Sequence, residues 1–180
     1  MMAVHMTERD PLGKINKTRS MVLAALMFAV ALVLAIVENM MPPLPLAVPG
    51  VKFGLSNIAV MYALFFLGGR QAYLIAFLKG GFVFISRGII AGALSLSGGI
   101  LSVTVMLLLL LIFKEKISYL SISILGAVFH NIGQFLVITL LYAGMNILPY
   151  FPVLLVAGVI AGIVTSTLLR FILPALKRLV

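Results

Sequence analysis

The sequence predicts an all-α polytopic membrane protein of about six transmembrane helices, an expectation that rests on three observations. Of its 180 residues, 63% are hydrophobic and 9% charged, and the mean hydropathy is +1.28. Several apolar runs are long enough to cross a hydrocarbon layer about 30 Å thick. The basic residues gather where those runs end instead of on a solvated face.

Residues 1–20 form a polar tail, too short to bury a core of its own. The first crossing is expected over Met21 to Val37; its length, and the absence of a small-x-small site after it, argue against a cleaved signal peptide. Asn39 to Gly50 follows as a connection in which Pro42, Pro43, Pro45 and Pro49 exclude a regular helix. The second crossing runs from about Phe53 to Leu67 and stops at Gly68-Gly69-Arg70, and the third, Gln71 to Ser86, carries Lys79.

Gly88 to Phe113 is longer than one untilted crossing and contains Gly92, Ser95, Ser97, Gly98 and Gly99. A break near Gly98-Gly99 is therefore expected, with the fourth crossing made of Leu101 to Phe113 and some residues before it. Lys114-Glu115-Lys116 ends that crossing, and the fifth runs from Ile117 to about Tyr142. Gly144 to Pro149 turns the chain into the sixth, Tyr150 to Leu169. The predicted organisation is a single membrane domain over residues 21–170 with a basic tail over 171–180.

The net charge of +9 follows the positive-inside pattern. With a cytoplasmic amino terminus, Arg70, Lys114 to Lys116 and the carboxyl tail all fall on one side, so both termini are predicted cytoplasmic and the protein multi-pass in the cell membrane. No solvated basic and aromatic face exists for nucleic acid. Without cysteine there is no thiolate chemistry, and within the apolar segments the one histidine, His130, with one nearby acid completes no metal set.

Lys52 and Arg87 break the charge rule, and Lys79 lies roughly 12 Å from the ends of its segment. Ionisable groups at such depth mark pathways or ligands. One reading has Lys79, Arg87 and Lys52 face a shared outward cavity that binds carboxylate or phosphate; the other has Lys79 snorkel or pair with Glu38 as a helix lock. His130, Asn131 and Gln134 form a polar stripe in the fifth segment, one helical turn long, that serves either interhelical bonding or a ligand. Ala25 with Ala29, and Ala31 with Ala35, have the small-xxx-small spacing that admits a second helix.

Several absences exclude chemistry. Asp10 is the sole aspartate, so no paired-aspartate site for magnesium and diphosphate exists; GxxxxGK[ST] and GxSxG are missing too. The chain is therefore expected to be no enzyme and to need no cofactor.

Pro42-Pro43-Leu44-Pro45, Pro49 to Ile58, Ser97 to Ser102 and Gly126 to Gln134 together resemble the Gx transporter family over about Met21 to Leu169. That family is often labelled heptaprenyl diphosphate synthase component I and resembles the substrate-binding S components of energy-coupling factor (ECF) transporters. The resemblance implies an S-component-like bundle with Asn39 to Gly50 as a lid. It also implies docking of Ala25, Ala29, Ala31 and Ala35 on a transmembrane coupling subunit that works with two ATPases. The function expected is uptake of a small anionic, vitamin- or isoprenoid-like molecule, with Glu38, Asn39, Lys52, Asn57, Lys79, Arg87, His130, Asn131 and Gln134 as its binding residues. The alternative is a non-catalytic accessory subunit of isoprenoid quinone synthesis or extracellular electron transfer.

Overall fold

Six α-helices account for nearly all of the residues that the computed structural model describes, 17–40, 54–144 and 146–177. They are α1 (Lys17–Met40), α2 (Asn57–Phe66), α3 (Gly69–Arg87), α4 (Ile89–Phe113), α5 (Tyr119–Leu141) and α6 (Phe151–Lys177). Four stretches, α1, α4, α5 and Leu148–Ile172, are long and apolar enough to cross a membrane. The other two helices fall short for different reasons. The ten residues of α2 reach only about 15 Å, and α3 carries Arg70, Lys79 and Arg87.

Side-chain contacts give the helix directions. Gln71 Nε2 donates to Ser20 Oγ (3.3 Å) near the starts of α3 and α1, and Arg87 Nη1 donates to Asn39 Oδ1 (3.1 Å) at their ends. These two helices therefore run parallel. Gly69 lies against Leu107 and Gly92 against Phe84, so α4 returns antiparallel to α3. The connection between them is one residue, Gly88, whose φ of 90° is open to glycine without strain and holds Arg87 at the rim.

The expected break at Gly98-Gly99 does not occur: α4 is continuous over Ile89–Phe113. Its glycines are used for approach. A Cβ on Gly98 would lie 2.8 Å from the His130 carbonyl, and one on Gly133 would lie 2.8 Å from the Ser97 carbonyl. Gly158 against Val128 and Gly162 against Ile124 bring α6 equally close to α5. Such contacts let dispersion and Cα–H···O interactions replace the hydrophobic drive that lipid does not supply. Ser123 Oγ adds a bond to the Gly162 carbonyl (2.8 Å).

The first helix shows a second departure. Ala25 and Ala29 are exposed, but Ala31 and Ala35 turn into the protein's own interior, where Ala31 packs in the core. The two pairs lie on different faces because six residues turn the helix through about 240°. Ala31 and Ala35 are thus no part of an outer docking face.

The dry core occupies one half of the bundle. Met27 and Ala31 pack on α2 residues from Ile58 to Leu64, with Ile75, Val103, Met106, Ile122 and Leu169. Lys17, Arg19, Arg70, Lys114, Lys116 and Arg170 fall at that same end, while Glu38, Asn39 and Arg87 fall at the other. Large apolar side chains such as Val33, Phe77, Ile85, Leu111 and Leu140 cover the outside. An outer surface of this kind suits hydrocarbon instead of water.

Candidate functional site

Because α2 is short, it fills only the basic half of the bundle and its first turn lies level with the middle of α3. Lys79 Nζ donates to Asn57 Oδ1 (2.7 Å) at that level. Above it, in the half opposite the core, is a cavity of about 500 Å³. That size is typical of small-molecule sites.

The cavity gathers what the sequence scatters. Glu38, Asn39, Asn57, Lys79, Arg87, His130, Asn131 and Gln134 all line it, from α1, α2, α3 and α5. Lys52 and the proline-rich connection over residues 41–50 lie outside the described residues. Lys79 is 6% exposed and Glu38 7%, so neither charged group is carried out to an interface in the way snorkelling requires. The Glu38 carboxylate accepts the backbone N–H of Gly54, and Lys79 Nζ donates to Asn57 Oδ1.

The α5 stripe splits into two uses. Asn131 Nδ2 donates to the Leu154 carbonyl (2.8 Å), which ties α5 to α6. His130 Nε2 meets Gln134 Nε2 at 3.2 Å, whereas buried His130 Nδ1 has no hydrogen-bond partner among the described residues. The imidazole packs against Gly98, where a Cβ would lie 2.9 Å from ring Cε1 and 3.0 Å from Nδ1. This part of the wall therefore holds one amide committed to α6 and a His130–Gln134 pair along α5.

Several lining residues escaped sequence reasoning. Ser95 is buried in α4 one turn from Ala91, and both line the cavity; the serine had read as part of a helix break. Gly54 and Ser56 sit beside Asn57, and Tyr142 and Tyr150 flank the far end. The tyrosines carried a usable signal, since such amphipathic rings mark the end of a membrane segment. Ala35, Val83, Leu94, Phe135, Ile138 and Leu154 make the remaining wall apolar. The arrangement can hold a molecule with an anionic group and an apolar body.

Comparison with known proteins gives one match. A family model described as heptaprenyl diphosphate synthase component I covers residues 27–172. No curated protein and no solved structure matches the chain.

Proposed function

The chain belongs to the heptaprenyl diphosphate synthase component I family, and on that premise we propose that it is a substrate-binding membrane subunit for a small anionic molecule with an apolar body. The observation that carries this reading is Lys79, a buried ammonium on the wall of a cavity about 500 Å³ in volume. A bound anion placed beside that ammonium gains a charge-assisted hydrogen bond in surroundings of low dielectric. In this reading all six helices lie in the cell membrane. The basic end and both termini face the cytoplasm, and the cavity faces outward.

The reading is non-catalytic. Among the described residues no three His, Asp or Glu side chains stand together to hold a metal ion. Energy would come from partner ATPases through a coupling subunit, with exposed Ala25 and Ala29 as the docking face. Mass spectrometry of small molecules released from gently purified protein tests the reading. An anionic amphiphile retained by the parent and lost from both Lys79→Ala and Arg87→Ala supports it; equal retention by all three overturns it.

The family description favours a second reading, an accessory subunit of prenyl diphosphate synthesis with no transported ligand. Co-purification separates the two. Capture of a membrane coupling subunit with ATPases, abolished by Ala29→Leu, supports transport, whereas capture of a soluble prenyl synthase supports the accessory role.

A further inference from the structure

The cavity wall is banded. On α3, Lys79, Val83 and Arg87 all line it, four residues apart, so one stripe reads cation, apolar, cation. The two cations are separated by about 12 Å along the helix. Different helices hold them: Lys79 is bonded to Asn57 at the start of α2, and Arg87 to Asn39 at the end of α1.

The same banding recurs on α5. His130 lies level with Lys79, because it packs on Gly98, about 13 Å below the start of α4, while Lys79 is about 12 Å below the end of α3. Gln134, Ile138 and Tyr142 then climb the cavity in successive turns. Between the two polar levels Val83, Leu94, Phe135 and Ile138 make the wall mostly apolar, with Gln134, one turn above His130, as its polar member. Held by partners on two different helices with a mostly apolar belt between them, the two cations do not converge on a single acid group.

We infer that the cavity selects an elongated molecule with a polar group at each end: an acid at the Lys79, Asn57 and His130 level, a second acid or strong hydrogen-bond acceptor at Arg87 and Asn39, and an apolar middle. This rests on the binding reading above and narrows it. Arg87 replaces its bond to Asn39 with one to the ligand, and guanidinium geometry suits a carboxylate or phosphate fork. A molecule with a single acidic head and a plain tail leaves the Arg87 level unused.

The test uses full-length protein in lipid nanodiscs. Linear dicarboxylates of graded chain length, and monocarboxylates of matched length, serve as probes, with binding read by calorimetry. The expected result is an optimum chain length for the dicarboxylates, at which the matched monocarboxylate binds about ten-fold or more weaker. Arg87→Gln, a change at an exposed position, removes that advantage, so that the dicarboxylate of optimum length binds no better than its matched monocarboxylate; Arg87→Lys restores part of it. Lys79→Met weakens both probe series.

Two failures are distinguishable. If mono- and dicarboxylates bind alike, and Arg87→Gln changes neither while Lys79→Met weakens both, the two-ended ligand is overturned and the binding subunit stands. If no probe binds, or Lys79→Met has no effect, the binding reading falls and the inference with it.

Discussion

Replacing single glycines by alanine in α3 and α4 tests whether α4 is an unbroken, closely packed helix or a broken one. At Gly81 a Cβ meets nothing within 4 Å, and at Gly99 it meets the Ala76 Cβ at 3.4 Å, an ordinary contact. At Gly98 it would lie 2.8 Å from the His130 carbonyl, 2.9 Å from ring Cε1 and 3.0 Å from Nδ1. Alanine in a helix interior gains about 0.5–1 kcal/mol over glycine. Overpacking against a backbone carbonyl costs about 1–3 kcal/mol. Gly81→Ala should therefore stabilise by about 0.5–1 kcal/mol, Gly99→Ala should be near neutral, and Gly98→Ala should destabilise by about 1–2 kcal/mol. At roughly 2–4 °C per kcal/mol for a chain of this size, the extremes differ by about 3–12 °C in Tm. Thermal unfolding in nanodiscs, followed by intrinsic tyrosine fluorescence, measures that separation. Equal Tm values for Gly81→Ala and Gly98→Ala would refute the close packing of α4 on α5.

Three further outcomes follow from the site. Lys79→Met keeps the stem's packing, and loss of a buried ammonium offsets the orphaned Asn57 carbonyl, so unliganded stability should stay within about 1 kcal/mol of the parent; a much larger loss on thermal unfolding assigns the ammonium a structural role. Gly54 has φ +71°, and a Cβ there would lie 3.2 Å from Asn57 Nδ2, so Gly54→Ala should cost about 1–2 kcal/mol, read by the same unfolding assay, and weaken anion binding by shifting Asn57. Asn131→Ala removes the bond to the Leu154 carbonyl and should cost about 0.6–1.7 kcal/mol. Its effect on probe affinity should be smaller than that of Lys79→Met, and a larger one would make Asn131 a ligand contact.

Most helix positions were legible because long apolar runs bounded by charge have few other solutions. The extent of α3, Gly69–Arg87 against an expected Gln71 to Ser86, is an example. The polar residues around the cavity were legible for the same reason: Lys79, Glu38, Asn57 and His130 stand out in apolar surroundings. Two features were not. Glycines in a membrane helix serve close approach as well as breaks, and the choice at Gly98 depends on which residue of α5 faces it. The start of α2 at Asn57, four residues later than Phe53, was equally hidden, since local hydropathy does not report where a neighbouring side chain such as Lys79 anchors a helix end.

The shortness of α2 bears on how the protein is made. Neither its ten residues nor the charge-bearing α3 is long and apolar enough to partition into a bilayer alone, whereas α1, α4, α5 and α6 each contain such a stretch. In the six-span reading α2 and α3 would enter as a joined hairpin, turning at Gly68, against the longer apolar helices. Lys79 contributes to that reluctance. In that reading a ligand anchored at Lys79 would favour the fully inserted form.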